Sequence, residues 1–217
     1  MPASLLREFE DRRRQVRHYV AVVATAERVA GVGRLTVSQE RRLLTLRSGV
    51  FLVLYNLIES SLRASIEAIH DRVVQDKVPF HELNPPLRKE ILRLFKADTK
   101  SRLDEDPGDF PSALVAAALG HEFKLSGNVD SKLVRYFGSI YGFSTETVKD
   151  RTWDGVDLLS IKTNRNDLAH GRKSYEEVGR NYSLRDIMNI SRRSASYIGT
   201  IVVNIESYIT DENYRER

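Results

Sequence analysis

Residues 50–74, VFLVLYNLIESSLRASIEAIHDRVV, space Phe51, Tyr55, Ile58, Leu62, Ile66 (or Ser65), Ile69 and Val73 at mixed steps of four and three. Side chains three and four apart share one face of an α-helix, because each residue turns the chain by about 100°. An apolar stripe of this length is the core-facing seam of a helix bundle. Glu59 and Arg63, four apart, flank that seam on a common face.

The helical period continues outward. Upstream, residues 5–30 carry Phe9, Val16, Val20 and Val23, with Ala26 or Ala30, and end at Gly31-Val32-Gly33, where glycine tolerates a left-handed cap. The long helix begins near Ser38 on periodicity alone, since Ser38 followed by Arg41 makes a poor capping box. Downstream, Pro79 and Pro85-Pro86 break the pattern, and Pro86 suits the first turn of a helix containing Leu87, Ile91, Leu94 and Phe95. An acidic turn at 104–109, a short apolar helix at 111–123 and a loop at 126–130 follow. A helix over 131–141 closes at Gly142. Asp154 then suits the cap of a helix over 155–170, with Val156, Leu159, Thr163 and Leu168 facing inward and Gly171 ending it. After a polar stretch, Ser183 and Asp186 have capping-box spacing. They open a last helix with Ile187, Ile190, Ala195, Ile198, Val202, Ile205 and Ile209 on one side.

No stretch alternates as a half-buried strand does. The expected fold is all-α, a single domain over residues 1–217. Its bundle core spans about 38–78 and 129–210, with an N-terminal helix at about 5–30 and an extra helical insertion at about 79–128.

Composition removes several function classes. The 217 residues are 41% hydrophobic and 29% charged, enough for a sizeable core. With no cysteine, disulfide scaffolds and thiolate chemistry are excluded, and a reducing cytoplasm fits. The N-terminus is charged at once and lacks a signal-peptide core, and the apolar runs at 50–55 and 114–119 are too short to span a bilayer. No membrane association is therefore expected. The net charge of +4, from 34 basic and 30 acidic residues, permits an acidic partner without demanding one. The five histidines, at 18, 70, 81, 121 and 170, never pair at zinc-ligand spacing, and His121-Glu122 reads as a surface pair, so no metal and no cofactor is expected. Neither a phosphate-cradling glycine loop nor a Gly-x-Ser-x-Gly elbow occurs.

One segment remains, RNDLAHG at 165–171. Asn166 and His170 are four apart and project from one helix face. Arg165 and His170 are five apart, about 140° around an ideal helix. Their convergence needs the arginine's length, a distorted helix end, or a second copy of the segment across a dimer. On spacing alone, a histidine before a helix-ending glycine equally suits an interaction with the last carbonyls.

The wording of the segment goes further than its spacing. Arg165-Asn166-x-x-x-His170 resembles the Arg-x4-6-His motif of the HEPN superfamily. Tyr55, Ile58-Glu59 and Leu62-Arg63 resemble the long helix of its MAE-like branch, as do residues 127–130 and 136–143. The resemblance covers roughly residues 50–209 and implies a HEPN-like bundle acting on RNA without a metal.

It implies Arg165 and His170 as catalytic residues, with Asn166 orienting His170 or the scissile phosphate. An imidazole, with an ordinary pKa of about 6.5, moves protons at neutral pH, and a guanidinium stabilises phosphate charge through a fork of N–H donors. Glu59 and Arg63 are supporting residues, with Glu59 expected to reach and hold Arg165; the alternative is a surface ion pair. Lys162, Arg172 and Lys173, with Arg180, surround the motif with charge suited to an RNA backbone, while Tyr175 and Tyr182 offer rings for packing or for bases. One motif histidine per chain is few for acid–base work, and the resemblance implies two motifs paired across a dimer, so a homodimer with a composite site is expected. The implied setting is a toxin or effector of a prokaryotic defence or toxin–antitoxin system, with an antitoxin or other partner protein. The alternative is a non-catalytic HEPN module that binds protein or nucleic acid in such a system.

Overall fold

The computed structural model describes residues 5–31, 35–98, 110–120, 123, 125 and 127–216. Gly33, the turn at 104–109, the His121-Glu122 pair and Ser126 lie outside the described residues, as does the side chain of Phe95. The described residues form an all-α fold without a β-strand. In chain order the helices are α1 (Leu5–Ala30), α2 (Val37–Gln75), α3 (Pro85–Asp98), α4 (Phe110–Leu119), α5 (Ser131–Tyr141), α6 (Lys149–Thr152), α7 (Asp157–Ala169), α8 (Tyr175–Arg180) and α9 (Leu184–Thr210).

The axis of the bundle is α2. Its seam residues Phe51, Tyr55, Ile58, Leu62, Ile66, Ile69 and Val73 are all buried, and so are Leu44, Leu54 and Leu57 outside that seam. Burial on more than one stripe follows from its neighbours: α1, α4, α7, α8 and α9 all pack against it. An 18-residue window of α2 reaches a mean hydropathy of 1.3, and 56% of that window is buried inside the bundle. The helix opens at Val37, one residue before the start that its periodicity indicates, and is capped by Thr36. Thr36 Oγ1 accepts from the Gln39 amide at 3.3 Å, and the Thr36 amide donates to Gln39 Oε1 at 2.9 Å. The caps expected elsewhere are present: Ser183 with Asp186 at the head of α9, and Gly142, at φ +93°, at the end of α5.

The helix expected over 155–170 is corrected in start and phase. Asp154 is not its cap; Trp153 and Asp154 both adopt left-handed backbone, at φ 49° and 50°, and the regular helix begins at Asp157. Buried Asp157 meets Arg193 of α9 through two hydrogen bonds of 2.5 and 3.0 Å, and that guanidinium lies 3.7 Å over the Trp153 ring. This anchor fixes which face of α7 turns inward. Leu158, Ile161, Asn164 and Leu168 are buried, whereas Val156 is 62% exposed, Leu159 53% exposed and Thr163 exposed. Of the four residues expected inside, only Leu168 is there.

The polar stretch after Gly171 contains α8, opened by a capping box of Ser174 and Glu177. Gly179 lets it lie on α2. A Cβ there would stand 2.1 Å from the Leu44 carbonyl oxygen and 2.7 Å from its carbon. Both are backbone atoms of the central helix, so relief requires moving one helix off the other. Gly179→Ala is expected to destabilise the fold by about 3 kcal/mol, read as a lower urea midpoint. An unchanged midpoint would mean that α8 has room to move away.

Between α2 and α5, α3 and α4 pack on each other, α3 also on α5 and α4 also on α2, and Leu87, Ile91, Leu114 and Val115 join the common core. Asn84 ties the start of α3 to the chain end: its Nδ2 donates to Tyr208 Oη at 3.0 Å and to the Asn213 carbonyl at 2.9 Å, while its Oδ1 accepts from the Leu87 amide at 2.9 Å.

Candidate active site

The Arg165–Gly171 segment is the last turn of α7 and its exit. His170 is the C-cap, at φ −97°, ψ 6°, and its amide donates to the Asn166 carbonyl at 3.0 Å. Gly171 follows at φ +63°, and the Arg172 amide then returns to the Asp167 carbonyl at 2.8 Å. The left-handed glycine reverses the chain at once, which leaves His170 exposed at the corner.

Arg165 points the other way, toward α2. Its guanidinium carbon lies 4.5 Å from the centre of the Tyr55 ring, and its Nη1 donates to Asn166 Oδ1 at 2.9 Å. Tyr55 is fully buried, and its hydroxyl accepts from the Val129 amide at 3.1 Å. Burial pushes the Tyr55 hydroxyl above its ordinary range. The Val129 amide and Arg165 oppose that shift, and the Glu59 carboxylate adds to it. The ring is therefore a neutral, rigid platform for the cation. The 127–129 loop closes the other side, where Asn166 Nδ2 donates to Asn128 Oδ1 at 3.1 Å. A Cβ on Gly127, at φ +73°, would lie 3.9 Å from Arg165 Nη1.

Several expected roles change. The Asn166 amide is hydrogen-bonded to Arg165 and Asn128 and not to the imidazole of His170. Glu59 does not reach Arg165: no ion pair joins them among the described residues, and the Tyr55 ring and Asn166 hold the guanidinium instead. Glu59 and Arg63 form no ion pair with each other either; both line a cavity between α1 and α2. Lys162 is engaged with Asp130, the cap of α5, and Lys173 lies 2.7 Å from Asp167. For Asp130, burial raises the carboxyl pKa, but Lys162 and the Leu133 amide outweigh it and hold the group below its ordinary range. Arg172 is exposed, without an ion pair among the described residues. Tyr182 is structural, its ring 4.6 Å from that of Phe51 and its hydroxyl accepting from Asn164 at 2.8 Å. Tyr175 is 41% exposed.

Tyr55, Gly127 and Asn128 are the site residues that spacing rules miss as such. Their signal lay in the wording of residues 55–63 and 127–130, which no periodicity connects to α7. Among the described residues, no three His, Asp or Glu side chains gather as metal ligands would.

An all-α bundle whose long central helix seats the arginine of an Arg-x4-His motif, with the histidine at an exposed helix end, defines a HEPN-type domain. The model of the HEPN_MAE_28990-like HEPN family matches residues 1–214, and the chain belongs to that family. HEPN domains are commonly ribonucleases or otherwise nucleic-acid related. No curated protein and no solved structure matches the chain.

Proposed function

We propose that this protein is a metal-independent endoribonuclease. The observation that carries the reading is the Arg-x4-His motif at one helix end, its guanidinium held by Tyr55 and Asn166 and its imidazole exposed. An RNA 2′-hydroxyl loses its proton to an imidazole and attacks the adjacent phosphorus, and the 5′-oxygen leaves with a proton from a second imidazole. Arg165 stabilises the phosphate oxygens as charge builds. The products are a 2′,3′-cyclic phosphate and a 5′-hydroxyl. Mapping the ends of cleaved RNA beside a DNA strand of the same sequence tests this. A need for divalent metal, 3′-hydroxyl ends or cleavage of the DNA overturns it.

The second imidazole belongs to a second copy of the chain. From cap to cap of α7, Val156, Leu159, Thr163, Asn166 and His170 follow one another at steps of three and four, so the exposed apolar residues Val156 and Leu159 share a face with the site. Trp153, 52% exposed, extends the apolar surface. A two-fold axis near the C-terminal end of α7 brings the two sites together. Leu159→Glu is expected to give a monomer by sedimentation and to lose cleavage, with an unchanged helical circular-dichroism spectrum because the side chain is exposed in the single chain. A fully active wild-type monomer would sink the composite site.

In the cell, the reading is that of a cytoplasmic toxin or effector in a prokaryotic defence or toxin–antitoxin system, restrained by an antitoxin or other partner. Growth arrest that persists in Arg165→Ala and His170→Ala would favour a non-catalytic binding module.

A further inference from the structure

The site described above does not use Glu59 and Arg63, and they are not a surface ion pair. Together with Arg12, Asn56, Ser60 and Leu57 they line a cavity of about 530 Å³ between α1 and α2. Its volume lies within the range of about 300–1,000 Å³ in which small-molecule groups are bound. Leu57 supplies a buried apolar floor. Arg63 Nε is buried without an acceptor, although a carboxylate stands one turn before it on α2. An arginine donor desolvated and left unpaired is costly, and the side chain gains by turning that donor outward to an acceptor in the cavity. Arg12 is held only by a long contact of 3.9 Å to Glu8, both groups being well exposed. The cavity thus offers two guanidinium groups, an amide, a hydroxyl, a carboxylate and an apolar floor.

Its position joins it to the Arg165 site. On an ideal helix Glu59 is about 40° around from Tyr55 and about 6 Å along, and Arg63 is about 80° around and about 12 Å along. Glu59 acts on the Tyr55 hydroxyl, the ring of which carries Arg165. The cavity thus lies on the two turns of α2 that follow Tyr55, the residue on which Arg165 rests.

Building on the ribonuclease reading, we infer that the α1/α2 cavity is a subsite for single-stranded RNA flanking the scissile phosphate. Backbone phosphates lie against Arg63 and Arg12, and a base lies over Leu57, its edge within reach of Asn56 and Glu59. The shared chemistry is a nucleoside phosphate, and the source is the strand, not a free nucleotide.

The test uses full-length protein and a 12-nucleotide 2′-O-methyl RNA, which lacks the attacking hydroxyl and is not cut. Binding is followed by fluorescence anisotropy across a salt series, so the readout does not depend on cleavage. Arg12→Gln/Arg63→Gln is expected to weaken binding at least tenfold and to reduce the slope of log K against log salt by about 1.4, the share of two phosphates on a single strand. Arg63→Lys, which keeps the charge and the fold, is expected to retain the slope while losing affinity. Binding and slope equal to wild type in the double variant would overturn the subsite, even with cleavage intact. Uridine monophosphate is titrated alongside. Arg63-dependent binding of the mononucleotide as tight as that of the 12-mer would assign the cavity to a free nucleotide and overturn the strand path. No cleavage of unmodified RNA by the wild type, with Arg63-dependent strand binding present, would reject the ribonuclease reading and keep the cavity as a site for single-stranded RNA.

Discussion

His170→Ala is expected to lower the rate of RNA cleavage by about 10²–10⁴-fold, the usual worth of a positioned general acid or base. The fold should be untouched. The imidazole is exposed at the C-cap, and the helix end is closed by backbone bonds and Gly171, so stability should change by no more than about 0.5 kcal/mol. Arg165→Ala is expected to cost about 10²–10³ in rate, comparable to the loss of one donor that stabilises a transition-state oxyanion. Unlike His170, it should also lower stability, by about 1–2 kcal/mol, because the guanidinium leaves the Tyr55 ring. Arg165→Lys should restore little of the rate, since an ammonium neither forks onto phosphate nor lies flat on the ring. Initial rates on a labelled RNA, read beside thermal melts, check all three. A His170→Ala protein as active as wild type would end the proposed mechanism.

The second large effect lies in the core. His70 is 5% exposed, its Nε2 is 2.7 Å from the Tyr141 hydroxyl, and its Nδ1 is buried without a partner. The Phe123 and Tyr141 rings stand against it at 5.8 and 5.5 Å between centroids. Burial lowers its pKa to about 4 and pushes the Tyr141 hydroxyl up. The native state therefore keeps a neutral ring in a pH range where the unfolded chain, with an ordinary histidine pKa of about 6.5, takes up a proton. Protonation favours the unfolded chain, so stability falls as pH drops from about 6.5 toward 4 and is unaffected by this group above that window. The total loss attributable to His70 is about 3 kcal/mol. Urea denaturation at pH 7 and pH 4.5 measures most of it. His70→Phe, which leaves the Tyr141 hydroxyl unpaired, should be less stable at neutral pH but should lose less on acidification. An equal acid slope in both proteins would remove His70 as its source.

The long seam from Phe51 to Val73 was legible because helix periodicity is a local property, and so were the Ser183–Asp186 cap and the Gly142 end of α5. The Thr36 cap of α2 and the whole of α8 escaped the same reading. Their capping boxes, Thr36–Gln39 and Ser174–Glu177, lie in polar stretches where no apolar period draws attention to them. The phase of α7 could not be read at all. Val156, Leu159 and Thr163 keep helical spacing whichever way they face, and the left-handed pair Trp153–Asp154 with the Asp157–Arg193 anchor decides that they face out.

By itself, then, the sequence determined the all-α class, the central helix and the segment that ends in His170, since each depends on residues within a few turns of one another. Only the tertiary structure decided what holds Arg165. The Tyr55 ring, the Gly127–Asn128 loop and Asn166 come from positions up to 111 residues apart, and a cation finds its partners by distance in space, which no spacing along the chain encodes.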